Sequence, residues 1–209
     1  CLPSASFDND FSSWSSGNIT VNYKLIDPNS DASNISQGAN SGIEYSTDGT
    51  TWTDATQGTG GDGMTALSSS ASPGTSHSFA WASASDLPTT EDLTVYLRLR
   101  PNDGSENASG WATSSAFALD NIAPSSVNAP TFGTITSSSI EVVKPSSVTE
   151  NGSGLNTWQA RRDSATVLSA VATTTNSVSD SSLSANTQYT YDVRFADYAA
   201  NASAYGTSA

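Results

Sequence analysis

Carboxylate and amide side chains recur at alternate positions in one short stretch of the chain. Asp27, Asn29 and Asp31 stand in the order Asp-Pro-Asn-Ser-Asp. Calcium loops present oxygen ligands with this alternate spacing. The EF-hand pattern is excluded, because it needs Gly where Ala32 stands and a bidentate Glu where Gly38 stands. Two interpretations stay open: a looser Ca²⁺ site between strands, or a polar surface turn after a strand that ends at Asp27.

A second set of acids surrounds the best candidate for a domain junction. Asp120 and Asn121 directly precede a proline-containing stretch. Calcium can stiffen the joint between tandem extracellular sandwiches when carboxylates from both sides bind it. Asp197, Glu150 or Asp103 could supply the remaining ligands, although no spacing in the sequence enforces this. We therefore expect no required cofactor and name calcium as the one candidate ion.

The single histidine and two tryptophans are further candidates for chemistry. His77 alternates with Phe79 and Trp81, which places it on a strand and favours a structural role over a Ser-His-Asp triad or a zinc site. Trp14 and Trp111 lie in Ser-rich surroundings, so we expect them to be exposed and to contact a glycan or another subunit. The 20 acidic residues show no recognisable acid–base pair. These residues predict a protein that is not an enzyme.

Composition narrows the class of protein. The 209 residues are enough for two small domains, and roughly a third of them are Ser or Thr, well above ordinary usage. Only 35% are hydrophobic, which suits sandwiches whose strands bury one face. The net charge of -13 opposes binding to nucleic acid or to anionic lipid. The sequence contains no apolar run of about 18 residues that would span a membrane.

Cys1 is the one cysteine, so no disulfide can form within the chain. At the first position it has two interpretations: the lipid-modified terminus of a mature bacterial lipoprotein, or the start of a fragment. Together with the Ser/Thr-rich, Lys-poor composition, this resembles secreted prokaryotic surface proteins and predicts an extracellular or cell-surface location.

Hydrophobic alternation with a period of two recurs, and helix periodicity is nearly absent. The clearest alternating segments are Ile19–Leu25, Leu93–Leu99 and Tyr189–Phe195, each typical of a strand with one buried face. Pro124 and Pro130 stand in the polar stretch after Asp120 and Asn121, where they stiffen the connection. We predict one domain over residues 1–121 and a second over 122–209.

The second domain resembles a fibronectin type III or bacterial Ig-like domain. Leu183, a polar turn and Tyr189 match a tyrosine corner, in which the Tyr hydroxyl bonds back to the turn. The resemblance implies a first strand from Val127 to Thr136, a second at Ile140 to Val143 and a third at Leu155 to Arg162. The usual Trp of the second strand is absent, so the resemblance implies that Trp158 of the third strand replaces it or that the core is rearranged.

The first domain resembles an accessory β-sandwich of bacterial surface proteins. The matching pieces are the turn-containing run from Tyr45 to Trp52, Phe79-Ala80-Trp81, and the run from Arg98 to Gly104. The fold class implied is all-β, with two tandem Ig-like or fibronectin-type-III-like antiparallel β-sandwiches joined by a short Pro-containing linker. Turn and core motifs of this kind specify fold better than function.

Two classes of function follow from this interpretation. The first is a non-enzymatic extracellular structural module: a segment or subunit of a surface fibre, pilus-like filament, S-layer or adhesin stalk. Its partners would be copies of itself or neighbouring domains, joined through sheet edges. The alternative is a glycan-binding accessory module of a secreted enzyme or adhesin, which needs an exposed aromatic platform at Trp14 or Trp111.

Overall fold

Two β-sandwich units make up the chain. The computed structural model describes residues 1–9, 11, 13–35, 42–104, 107–108 and 110–209, with only the backbone of Leu93. Gly38, which excludes the EF-hand pattern, lies outside these residues. The chain divides into a unit of residues Cys1–Asn121, called unit 1, and a unit of residues Ile122–Ala209, called unit 2.

Unit 1 consists of nine described strands and one short helix. Their bounds are Ser4–Phe7 (β1), Asn18–Ile26 (β2), Gly42–Ser46 (β3), Thr53–Asp54 (β4), Gln57–Gly61 (β5), Thr75–Ala82 (β6), Ser83–Asp86 (α1), Glu91–Arg100 (β7), Ala112–Thr113 (β8) and Phe117–Asp120 (β9). One sheet has the strand order β1-β2-β6-β5. The other has the order β4-β3-β7-β8, with β9 also paired to β7. The strand pairs are antiparallel, which is the arrangement of a sandwich.

The core of unit 1 follows from side-chain alternation on the central strands. On β2 the residues Ile19, Val21, Tyr23 and Leu25 are buried while those between them are exposed or half-buried. Opposite Ile19, in register on β6, stands Trp81, which is also fully buried. Each such apolar side chain removed from water contributes about 2 kcal/mol before entropy is counted. The alternation of apolar and polar residues therefore determines which face of each sheet packs against the other sheet.

Unit 2 consists of seven described strands. Their bounds are Thr131–Ile135 (β10), Ser139–Val143 (β11), Leu155–Arg162 (β12), Thr166–Val167 (β13), Val171–Ala172 (β14), Ser177–Ser181 (β15) and Tyr191–Asp197 (β16). One sheet has the order β10-β11-β15, and in the other β12 pairs with β13, β14 and β16. The final segment adds to β16, since the N–H groups of Gly206 and Ala209 donate to the carbonyls of Val193 and Tyr191.

A buried tryptophan anchors the core of unit 2. Trp158 is 1% exposed, packs with Val142, Tyr191 and Phe195, and donates from Nε1 to the carbonyl of Thr175 at 2.8 Å. The hydrogen bond satisfies the indole N–H, which would otherwise be buried without a partner. The third strand of this unit, rather than the second, therefore supplies the core tryptophan.

The first strand of unit 2 is shorter than the sequence predicts. It begins at Thr131, not at Val127, and Pro130 immediately precedes it. Proline lacks the N–H that a sheet ladder needs, so pairing begins after it. The residues before it make a separate contact, because the N–H of Ser125 donates to the carbonyl of Thr149.

Strand β10 is an exposed edge that carries a bulge. Its register against β11 shifts between Phe132 and Ile135. At the shift, Glu141 accepts a hydrogen bond from the Thr134 N–H at 3.0 Å and another from the Ser177 hydroxyl at 2.6 Å. A Cβ at Gly133 would lie 2.3 Å from the Glu141 carboxylate, so glycine permits this approach. The bonds from Ser177 and Thr134 lower the pKa of Glu141.

We expect the variant Phe195→Ala to destabilise unit 2 by about 3–5 kcal/mol, because it opens a cavity beside Trp158. Phe132→Ala is the matched control, since Phe132 is 39% exposed while Phe195 is 1% exposed. Urea unfolding followed by tryptophan fluorescence measures both variants. An equal loss of stability in the two would contradict the assigned core.

Candidate functional site

The predicted calcium loop lies at the end of β2. Asp27 is fully buried, and its Oδ1 accepts a hydrogen bond from the Asn29 N–H at 2.9 Å. The carbonyl of Asp27 accepts from the N–H of Ser30 at 3.0 Å, which closes a turn. Asn29 and Asp31 are exposed. The loop thus joins one buried carboxylate to two exposed oxygen-bearing side chains.

A short segment before β6 runs beside this loop. The Asp27 N–H donates to the Ser70 carbonyl at 2.9 Å, and the Ser33 N–H donates to the Leu67 carbonyl at 2.8 Å. Ser33 is fully buried, like Asp27. The backbone of the loop is therefore fixed at both ends by the same neighbouring segment.

The second predicted calcium set is divided between the units. Asp120 ends β9 of unit 1 and is fully buried, and its N–H donates to the Ser15 carbonyl. Asn121 accepts from the Gly17 N–H at 2.8 Å, and Asp103 is half-buried in the turn after β7. Asp120 and Asn121 thus hold the end of unit 1, and their binding of an ion stays a prediction.

Glu150 and Asp197 come together within unit 2. Their carboxylate oxygens lie within 4.8 Å of each other. Glu150 accepts from the Gly152 N–H at 2.9 Å, and Asp197, 1% exposed, accepts from the Asn201 N–H at 2.8 Å. Two carboxylates this close repel each other unless a proton or cation lies near them. The pair has oxygen chemistry suited to a hard cation, and calcium here stays a prediction.

His77 is the centre of an arrangement that the sequence does not predict. Its Nε2 lies 3.5 Å from the Ser68 hydroxyl, and its Nδ1 lies 3.6 Å from the Asp62 carboxylate. The order of groups is that of a Ser-His-Asp triad. However, Nε2 is only 2.7 Å from the Ser68 carbonyl, to which it must donate. A nitrogen that donates there cannot accept the hydroxyl proton, so in this geometry His77 is not a general base and instead links β6 to the loop that precedes it.

Two arginines and two tryptophans stack on the outer face of the second sheet of unit 1. The Arg98 guanidinium lies 4.4 Å from the Trp52 ring centroid and 4.1 Å from that of Trp111. Arg100 lies 4.8 Å from the same Trp111 ring. Arg98 also donates from Nε to the Glu44 carboxylate at 2.6 Å. We call these five residues the unit 1 ladder, and its cation–π contacts stabilise the sheet face.

The ladder bears on the predicted glycan platform. Trp111 is half-buried, and two guanidinium groups contact its ring. A sugar ring stacks on a free aromatic face, and these contacts occupy that surface. Trp14 is also half-buried, in the segment before β2. A glycan or subunit contact at either tryptophan stays a prediction.

A similar stack covers one face of unit 2. Arg161 lies 3.8 Å and Arg194 lies 5.1 Å from the Tyr205 ring centroid. Arg161 forms two hydrogen bonds to Asp192, and the bonds to this carboxylate raise the pKa of Arg161. The sequence signal in unit 1 is a pair of arginines at alternate positions of β7, whereas Arg161 and Arg194 lie on the paired strands β12 and β16 of unit 2. Sequence reasoning does not find their aromatic partners, because Trp52, Trp111 and Tyr205 lie on loop segments elsewhere in the chain.

The tyrosine-corner residues stand at the turn before β16. The Tyr189 hydroxyl accepts a hydrogen bond from the Ser184 N–H at 2.9 Å, and its ring packs against the core of unit 2. The Leu183 N–H donates to the Ser138 carbonyl, and its side chain is half-buried. The hydrogen bond from Ser184 to Tyr189 fixes the chain where it passes from one sheet to the other.

Asp48 organises the turn that leads to Trp52. Its Oδ1 accepts from the N–H groups of Thr51 at 2.6 Å and Thr50 at 2.7 Å, and from the Ser46 hydroxyl at 3.0 Å. These bonds, chiefly those from Thr51 and Thr50, hold the pKa of Asp48 well below its usual range. Hydrogen bonds to the charged form have this effect.

Two further observations concern membranes. The Cys1 thiol is exposed, and its lipidation stays a prediction. Among the described residues we find no helix with the length and apolar character needed to cross a bilayer.

Comparison with known proteins supports the fold. No protein-family model matches the chain, and no curated protein matches it. The FN1–FN3 domains of chicken CNTN1 are similar, with a TM-score of 0.51 and 14% identity over 98% of this chain and 64% of that one. The chain thus spans slightly less than two thirds of that structure. At this identity the likeness shows a fibronectin-type-III-like fold and nothing finer.

Two other solved structures superpose less well. A two-domain fibronectin type III segment from chicken tenascin gives a TM-score of 0.31 at 12% identity, over 100% of this chain and 98% of that one. The fibronectin(III)-like modules of Clostridium thermocellum CbhA give a TM-score of 0.41 at 10% identity, over 98% of this chain and 91% of that one.

We expect Arg98→Lys to destabilise unit 1 by about 1 kcal/mol, because an ammonium group cannot lie flat between two rings or pair through a planar fork. Tryptophan fluorescence during urea unfolding measures the loss. Lys24→Ala is the control: its ion pair with Asp8 is about a third exposed on each side, and such pairs contribute little. A loss for Arg98→Lys no greater than that for Lys24→Ala would contradict a stabilising role for the ladder.

We expect Asp48→Asn to lower the melting temperature at pH 7. The folded-state pKa of Asp48 is lowered, so its contribution is complete above the unfolded value of about 3.9 and is lost as the pH falls below it. The difference in melting temperature between wild type and variant should therefore become smaller as the pH falls from 5 to 2. Asp54→Asn, on the exposed strand β4, is the control. A gap that stays constant with pH would refute this role.

Proposed function

We propose that the chain is a non-enzymatic extracellular structural module, a segment or subunit of a surface fibre, pilus-like filament, S-layer or adhesin stalk. One observation carries this proposal: the polar side chains that come closest to a catalytic arrangement form hydrogen bonds that stabilise the fold. His77 donates to a carbonyl, and Asp86 accepts from both Trp81 Nε1 and the Thr56 N–H. Groups held in this way serve the scaffold.

The composition and the tandem sandwiches support the same role. Roughly a third of the residues are Ser or Thr and only 13% are charged. Such a surface stays hydrated with few charges. The connection at Ile122, Ala123 and Pro124 is short, and proline limits its backbone freedom. A spacer needs folded units joined by a stiff segment more than it needs a pocket.

Partners of this module would meet it through sheet edges. Strand β10 is an edge whose five residues are exposed, including Ile135 at 63%. Extended segments of a neighbouring domain or of another copy can add to such an edge. A glycan-binding role is the alternative, and the arginine contacts at Trp111 weigh against a sugar platform there.

Force spectroscopy on the full chain, tethered at both ends, tests the structural role. Two discrete unfolding steps are expected, with contour-length gains of about 40 nm and about 30 nm at 3.3–3.6 Å per residue. Their forces should match those of a fibronectin type III module pulled in the same instrument. Phe195→Ala is the matched variant and should weaken the shorter step alone. Smooth extension without steps would contradict a load-bearing role.

A further inference from the structure

The Asp27 carboxylate is incompletely satisfied. Its residue is fully buried, and Oδ1 accepts from the Asn29 N–H, yet Oδ2 has no hydrogen-bond partner among the residues that the structure describes. The Ser33 hydroxyl, six residues further along the same loop, is also buried and has no described partner. Buried polar atoms are nearly always bonded, so two such atoms in one loop point to a missing ligand.

Three ligands could satisfy Oδ2: a proton, a water molecule or a cation. A proton on Oδ2 would itself become a buried donor, and no described residue accepts from that atom. A water molecule would bond to Oδ2 but would leave the negative charge of the buried carboxylate without a counter-charge. A cation needs oxygen ligands, and this loop carries them on the side chains of Asn29, Asp31 and Ser33. The donor set thus favours a cation.

The charge of unit 1 favours a cation as well. Residues 1–121 hold 14 acidic and 3 basic residues, for a net charge of -11, whereas residues 122–209 hold 6 acidic and 4 basic residues. A strongly negative unit raises the local concentration of counter-ions. All of the loop's side-chain ligand atoms are hard oxygens, which suit calcium rather than a transition metal.

We propose that the loop from Asp27 to Ser33 binds one calcium ion through the buried carboxylate of Asp27. The remaining ligands are oxygens of the same loop and water. The ion holds the loop in the conformation whose two ends already form backbone hydrogen bonds to the segment from Leu67 to Ser70. The site lies within unit 1 and is independent of the Glu150 and Asp197 pair in unit 2.

Calcium titration of the metal-free full chain tests the site, with calorimetry for binding and hydrogen exchange for location. We expect Ca²⁺ to slow exchange in residues 27–33 at least tenfold and to raise the melting temperature of unit 1 by roughly 5 °C at saturation. Asp27→Asn should lose both effects, and Asp31→Asn should bind more weakly. Asp54→Asn, an exposed acid of the same unit, should behave like wild type.

The variant Asp197→Asn separates this site from the pair in unit 2. Protection of residues 27–33 should persist in that variant, whatever calcium does elsewhere. Calcium without effect on residues 27–33 of the wild-type chain would overturn the proposal. So would calcium protection that survives Asp27→Asn, because the buried carboxylate is then not a ligand. If Asp27→Asn unfolds the chain, the weaker binding of Asp31→Asn decides alone.

Discussion

Exclusion of water from between two sheets is the constraint on which each unit depends. Only 35% of residues are hydrophobic, so each inward-facing side chain must contribute a large share of the buried apolar area. Large aromatics supply much of the buried area: Trp81, Tyr23 and Phe79 in unit 1, and Trp158 and Tyr191 in unit 2. Because few apolar residues are available, polar side chains also border these cores, and hydrogen bonds offset the cost of burying several of them.

Those bonds link core to surface. The Tyr191 hydroxyl donates to Asp180 at 2.9 Å inside unit 2, and Arg162 reaches the same carboxylate from the partly exposed side at 2.8 Å. Burial, followed by the bond to Asp180, raises the pKa of Tyr191. The Trp81 indole makes the equivalent contact with Asp86 in unit 1. Both units thus join a buried ring to a charged group at the rim of the sandwich.

Local patterns in the sequence predict the sandwiches well and the side-chain partners poorly. Alternation on Ile19–Leu25 predicts a half-buried strand, and the all-β, two-sandwich fold is confirmed. The pairing of Arg98 with Trp52 and Trp111 depends on which strands become neighbours, and no local pattern encodes that. The burial of Asp27 cannot be predicted from local sequence either, because its neighbours Pro28 and Asn29 are typical of a surface turn. Groups fixed by tertiary contact are therefore the ones that sequence reasoning misses.

The arginine stacks have a consequence for the susceptibility of the chain to proteases. Trypsin-like proteases cut after Lys or Arg and need several residues around the bond in an extended, accessible form. Arg98 and Arg161 lie within paired strands, with each guanidinium against an aromatic ring. The chain offers only seven Lys and Arg residues in total. Cleavage at the stacked ones must wait for a sandwich to open, so digestion there reports its unfolding.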